Sequence, residues 1–491
     1  MAGENSREQS PGRVVIDRRP LLVVLLSVFR PQLLLGLILL FFGWTLSLES
    51  PSGIGDDGWR VLCVFGLCVI LWVTALIPLA ITGLGAIALI PLLGIREAST
   101  TYQYFGSSAV FFILGAFTLG AAVVGCGLSS RLTLSAFTRF GRTTWKLVLA
   151  VFCFTALLSC VMSEHAVAAM SFPIVWELAR NLEGQKGAKG AQRVLFFAMA
   201  WGCIIGGTAT VLGGGRAPLA IGILEESVSQ TITFTQYMFL TFPLVLLLMA
   251  LGAVILRFSY PDEAPSVDEA RENLALRLRK LGKTTLREKL VGLVLVVTIG
   301  FWVVKGEELG LANIAILSTA ALFGLQLVTW KDIEENVNWG VILMYGGAIT
   351  LGSAMSDTGA ATWITDSLFG EWTGSPQALM LTLGILTMVM TEFMSNSAVI
   401  AILMPPALSL AESHGIPYWM ITMCVVLPSN FAFMFPMATP ATALAYSSGA
   451  FSMKEAVKRG GMLDCMGIGF LALLIYVYWP WVSSLGWMGG S

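Results

Sequence analysis

Two short polar clusters interrupt stretches that are otherwise apolar: Ser163-Glu164-His165 within 146–180 and Ser395-Asn396-Ser397 within 377–412. Hydroxyls, an amide, a carboxylate and an imidazole gathered where a helix has to stop are groups that hold a small charged solute. About 40–50 residues after each cluster comes a run rich in Gly, Pro and Thr, Gly206-Gly207-Thr208 to Gly214-Gly215-Arg216 and then Phe435-Pro436-Met437-Ala438-Thr439-Pro440-Ala441-Thr442. An enzyme is the most distant reading, since no Ser/His/Asp set, HExxH motif, P-loop or dinucleotide fingerprint appears. Ser163 and His165 do not form the start of a triad either, because residues two apart do not share a helix face.

Backbone that leaves the helix inside a membrane is tolerated only when buried in protein or lining a wet cavity. Its broken ends supply free N–H donors and positive dipole ends for anions, while exposed carbonyls and Ser or Asn oxygens can coordinate a cation such as Na⁺. The competing reading is that the glycines only allow close helix packing. Glu164 and Arg216 are charges within apolar surroundings, expensive and by default functional. Arg216 is expected to pair with Glu164 or with substrate; a purely structural pair is the alternative. His165 is either a proton-linked group, given its free pKa of about 6.5, or a neutral hydrogen-bonding residue. Glu392, three residues before the second tip, either orients that tip or binds a cation.

The elements that must position these groups are membrane spans. Of 491 residues, 56% are hydrophobic and 12% charged, with mean hydropathy +0.79; a soluble domain carries roughly twice that charge share. No basic stripe with interleaved aromatics points to nucleic acid. The eight cysteines form no metal-ligand or disulfide spacing and read as small packing residues. Runs long enough to cross a bilayer lie at 32–48, 58–74, 77–94, 107–127, 194–225, 237–257, 288–304, 310–328, 339–359, 418–448 and 461–483. With 146–180 and 377–412 read as re-entrant hairpins, eleven spans remain. Arg131, Arg139, Arg142, Lys146, Arg180, Lys186, Lys189, Arg193, the basic run 271–289, Lys454, Lys458 and Arg459 then share the cytoplasmic side with the N-terminus. The outer loops 49–57, 226–236, 360–376 and 484–491 carry no Lys or Arg. The expected organisation is a cytoplasmic tail and interfacial helix at 1–31, a first inverted repeat at 32–258, a cytoplasmic linker at 259–287 and a second repeat at 288–491.

The repeat is visible directly. A shift of 232 residues lays Gly115-Ala116-Phe117-Thr118-Leu119-Gly120 on Gly347-Ala348-Ile349-Thr350-Leu351-Gly352, Ser163 on Ser395 and Pro173 on Pro405. An odd number of crossings between the copies inverts the second, the arrangement of alternating-access transporters.

Thr391-Glu392-Phe393-Met394-Ser395-Asn396-Ser397, Met404-Pro405, Phe431-Ala432-Phe433-Met434 with Met437-Ala438-Thr439-Pro440, and Trp72 to Leu79 together resemble the divalent anion/sodium symporter (dicarboxylate transporter) family over nearly the whole chain. The resemblance implies an all-α polytopic membrane protein, a homodimer with an elevator motion, and no cofactor beyond a coupling sodium ion. It implies that Asn396, Ser397, Thr439 and Pro440 contact a substrate carboxylate. Ser395, Asn396, backbone near Ala438 and Thr391 would hold sodium. The first half-site, Ser163, Glu164, His165, Gly214 and Arg216, departs from the family's Ser-Asn-Thr and Pro-Asn pattern. There a fixed arginine would stand in for the first sodium, as is thought of members that exchange anions. The implied function is secondary transport of small divalent anions, C4-dicarboxylates foremost, by exchange or sodium symport in a multi-pass protein of the plasma (inner) membrane. Sulfate or another oxyanion is the alternative substrate, and cation/proton antiport the distant alternative, since it would need a buried Asp pair or an Asp/Lys relay.

Overall fold

The computed structural model describes residues 30–261, 265–370 and 372–486; the expected interfacial helix at Leu21–Phe29 lies outside them. The chain divides into two units. The first, up to Leu48, contains the helix Arg30–Leu46. Its Leu- and Phe-rich sequence suits a lipid-facing helix. The second unit, Glu49–Ser491, contains everything that follows and no strand among the described residues.

Both interrupted stretches are helical hairpins. The first consists of Thr144–Ser159 and Glu164–Arg180, the second of Pro376–Phe393 and Asn396–Ser413. The two Gly/Pro-rich runs are broken helices as well, Ala188–Thr208 giving way to Arg216–Val228, and Tyr418–Val426 with a short 3₁₀ turn giving way to Pro440–Ser447. Eight helices among the described residues are long and apolar enough to span a bilayer, and Arg30–Leu46, Leu79–Leu92 and Leu311–Gly324 are shorter apolar helices. The architecture is that of an all-α, multi-pass membrane protein with two re-entrant hairpins.

The 232-residue offset extends well past the matched motifs. Asp56–Thr74, Leu79–Leu92, Ser108–Gly125, Leu128–Phe140, Thr144–Ser159 and Glu164–Arg180 recur as Leu286–Leu309, Leu311–Gly324, Trp339–Asp357, Ala360–Phe369, Pro376–Phe393 and Asn396–Ser413. The contacts recur with the copies exchanged. A Cβ on Gly115 would strike Ala315, and one on Gly347 would strike the Gly83 backbone; each pair becomes the other under the same shift. Glycine is required at both crossings because the helices meet backbone to backbone. Contacts that swap partners in this way are what two inverted copies packed face to face produce.

Three expectations need correction. Residues 360–369, read as outer loop, form the helix Ala360–Phe369, because its apolar positions pack even though the segment is too short to span. The span expected to begin at 194 begins at Ala188, so Lys189 and Arg193 lie on the helix rather than in a loop. Of the cysteines expected to pack inside, Cys153 and Cys465 are exposed. The segment between the repeats contains the helix Asp268–Lys280.

Candidate functional site

At the two tips the chain bends in the same way. Ser163 (φ −53°, ψ 131°) and Ser395 (φ −60°, ψ 132°) occupy the residue before the second arm, and neither hydroxyl caps its helix. Serine at such a position ordinarily accepts a backbone N–H two or three residues on. Here both hydroxyls remain free of that duty. The second tip is braced by Thr391, whose hydroxyl donates to Asn396 Oδ1 at 2.7 Å and lies 2.8 Å from the Ser429 carbonyl. The first tip is tied to the first break: the Glu164 N–H donates to the Gly213 carbonyl at 2.8 Å, and the Thr210 hydroxyl to the Cys160 carbonyl at 2.6 Å.

The breaks are packed too tightly for any other residue at several glycines. A Cβ on Gly206 would collide with Ala156 backbone, and one on Gly213 with Gly207. The two breaks also meet: Asn430, in the 3₁₀ turn of the second, donates through Nδ2 to the Ile204 carbonyl and the Thr208 hydroxyl at the end of the helix before the first.

Four helices therefore begin around one point, at Glu164, Arg216, Asn396 and Pro440. They surround a cavity of about 230 Å³ lined by Glu164, His165, Gly215, Arg216, Ser395, Asn396, Ser397, Met437, Ala438, Thr439 and Pro440. Each helix start carries about half a positive charge. A wider vestibule of about 890 Å³ reaches from Ser163, His165, Ser395, Ser397 and Pro440 towards Ser130, Arg277 and Glu335.

The charged pair lies in the cavity wall. Arg216 Nη1 is 3.2 Å from Glu164 Oε1, and Nη2 donates to the Gly207 carbonyl at 2.8 Å. Both side chains are almost wholly buried, at 3% and 0% exposure. Glu164 Oε2 and Arg216 Nε have no protein partner. His165 Nδ1 lies 3.8 Å from Glu164 Oε1, with its ring partly open to the cavity.

Most of the residues singled out from sequence meet at this cavity; Ser163, Gly214, Thr391 and Glu392 do not. Ser163 lines the vestibule instead. Gly214 lines neither space and sits against the guanidinium, where a Cβ would meet Nη1. Thr391 is fully buried behind Asn396. Thr439 reaches the cavity wall, but its hydroxyl caps the helix Pro440–Ser447 by accepting the Thr442 N–H at 3.2 Å. Sequence reasoning missed Asp464 entirely. It is fully buried and faces Glu392, whose two oxygens accept the Met434 and Phe435 N–H groups at 3.0 Å each. The one signal that pointed to it was a lone carboxylate inside the span 461–483.

The family profile for the sodium:sulfate symporter transmembrane region matches residues 32–485. The chain is 28% identical over 495 residues to sodium-dependent high-affinity dicarboxylate transporter 3 of Caenorhabditis elegans, covering 90% of this chain and 86% of that one. It is 24% identical to the sodium-dependent dicarboxylate transporter SdcS of Staphylococcus saprophyticus, covering 92% of each. Among solved structures it is similar in fold to the Neisseria gonorrhoeae MtrF transporter (TM-score 0.53, 12% identity, 94% of this chain and 96% of that one). It is also similar to the Alcanivorax borkumensis YdaH transporter (TM-score 0.50, 16% identity, 79% and 88%).

Proposed function

Because the chain belongs to the sodium:sulfate symporter transmembrane family, we propose that it is a secondary active carrier of C4-dicarboxylates that binds its substrate in the cavity between the two tips and the two breaks. The observation that carries this reading is the convergence of four helix N-termini on about 230 Å³. That volume lies below the roughly 300–1,000 Å³ of pockets for drug-sized ligands, which favours a solute of few atoms. Asn396 and Ser397 would hold one carboxylate, and the start of the helix at Arg216, with His165, would face the other.

Charge bookkeeping bears on the coupling ion. Arg216 supplies a fixed positive charge, but Glu164 at 3.2 Å already matches it, so the pair offers a dianion little net attraction. The helix ends and a cation at the second half-site must supply the rest. The groups there are neutral oxygens, Ser395, Asn396 and the backbone near Ala438, the donor type that suits sodium. The named relatives are sodium-dependent. We therefore assign sodium to the second half-site alone, with the Glu164–Arg216 pair filling the first.

The vestibule reaches Arg277 on the linker helix. The charge distribution favours the cytoplasm for that side, so the conformation is open inwards. An elevator motion of the hairpins and broken helices against the remaining helices, in a plasma-membrane homodimer, would alternate this access.

Uptake of labelled succinate into proteoliposomes tests the reading. Saturable uptake driven by an imposed sodium gradient, with sulfate competing weakly, is the expected result. Uptake driven only by preloaded dicarboxylate would replace symport by exchange. Uptake of sulfate without succinate would overturn the substrate assignment.

A further inference from the structure

Behind the second tip, apart from the anion cavity, lies a pair of buried carboxyl groups. Glu392 is 1% exposed on the first arm of the second hairpin, and Asp464 is 0% exposed on the helix Met453–Leu473. That helix packs closely on the second break. A Cβ on Gly460 would strike the Phe433 carbonyl, and one on Gly467 would lie 3.1 Å from the Phe431 ring. Positions i, i+4 and i+7 share a helix face, so Asp464 sits between these glycines and points at the same segment.

The two carboxyls differ in their surroundings. Glu392 accepts one backbone N–H on each oxygen, from Met434 and Phe435. Asp464 has the Phe433 N–H nearby, yet neither of its oxygens receives a hydrogen bond from a protein donor. What faces it is the Glu392 carboxyl.

Among the described residues no cation compensates the pair. Glu392 is the sole charged residue of Pro376–Phe393, and the segment 428–439 has none. On Phe234–Phe258 the one charge, Arg257, stacks over Trp145 and Tyr260. On the helix of Asp464 itself, Arg459 is engaged by Glu455 and Ser259. Lys454 and Lys458 lie further towards that helix's start, and Cys465 is the next residue.

Two carboxylates side by side in a low-dielectric interior cannot both be ionised. The one with two N–H donors is the better anion. We propose that Glu392 and Asp464 form a proton-binding site, with the proton on Asp464 donated to Glu392, and that this proton keeps the second break in its binding-competent shape. Glu392 is then a positioning residue: it fixes Met434 and Phe435, three to four residues before the Ala438-Thr439 wall of the cavity. Loss of the proton sets two negative charges against each other and releases that backbone. Substrate affinity would then fall as pH rises.

The test uses the full-length protein and Asp464→Asn, whose amide donates to Glu392 as the protonated acid does. Purified protein without substrate gives the first readout, apparent Tm against pH. The folded pair holds a proton that the unfolded chain releases, so stability must fall with rising pH. Wild type is expected to lose Tm as pH rises above the ordinary carboxylate range of about 4, and D464N to lose much less. Succinate uptake gives the second readout: KM rising by up to about tenfold per pH unit, the limit for one linked proton, and flattened in D464N. Substrate protonation acts on both proteins alike. If D464N does not fold, the neutral pair Glu392→Gln with Asp464→Asn takes its place, and its Tm profile must also be flat. Tm profiles of wild type and variant that superimpose would overturn the proposal. So would stabilisation of wild type at high pH by sodium that D464N abolishes, which would make the pair a cation site. The Tm readout stands even if succinate proves not to be the substrate.

Discussion

The Glu164–Arg216 pair concentrates the energetics of the first half-site in two side chains. Removing one partner of a buried pair leaves an uncompensated charge, at a cost of about 3–5 kcal/mol, whereas replacing both by uncharged groups of similar volume is often nearly neutral. Arg216→Met should therefore depress the thermal stability of the purified protein strongly, and the double variant Glu164→Gln with Arg216→Met should recover most of the loss. Additive losses would show that the two charges act separately. On the opposite wall Asn396 is expected to touch substrate. Asn396→Ala removes a hydrogen bond to a charged group, about 1.5–3 kcal/mol, and should lower kcat/KM for succinate by about tenfold or more. Sequence alone named these residues, because charges and amides stand out in an apolar chain. It left open whether Arg216 faces Glu164 or substrate, since a partner 52 positions away is set by how the first break folds onto the first tip. Asp464 escaped notice for the same reason: its meaning comes from Glu392, and no spacing rule links positions on separate helices.

At the scale of elements, the tips and breaks depend on glycines that admit no side chain. Gly206→Ala would push a methyl group into the Ala156 backbone, while Gly469→Ala meets nothing within 4 Å. The first should abolish well-folded protein on size-exclusion chromatography and the second should be silent; equal behaviour would contradict the close-packed break. Hairpins and breaks were legible in the sequence because polar and Gly/Pro residues inside apolar runs are costly in lipid unless the helix stops there against protein or a wet cavity. The helix Ala360–Phe369 was not. Its ten residues are too short to stand out by hydropathy, and only its repeat partner Leu128–Phe140 reveals it.

For the whole molecule, the exchanged contacts Gly115–Ala315 and Gly347–Gly83 express a pseudo-two-fold relation that sequence showed only as a numerical offset. The same relation places the four helix starts around one cavity, so that either repeat alone would build half a site. The vestibule leads to the side of the linker helix, and its sidedness can be measured. In a background without native cysteines, Ser130→Cys and Glu335→Cys, both on the vestibule wall, should react with a membrane-impermeant thiol reagent applied from the cytoplasmic face only. Reaction from the outer face would reverse the assigned orientation. Transport of the proposed kind requires a dicarboxylate lodged among four helix starts. A structure of the protein with succinate bound tests that most directly. It should place one carboxylate against Asn396 and Ser397 and the other towards Arg216 and His165, with the Glu164–Arg216 contact retained. Succinate bound outside this cavity, or an undisturbed cavity at saturating succinate, would contradict it.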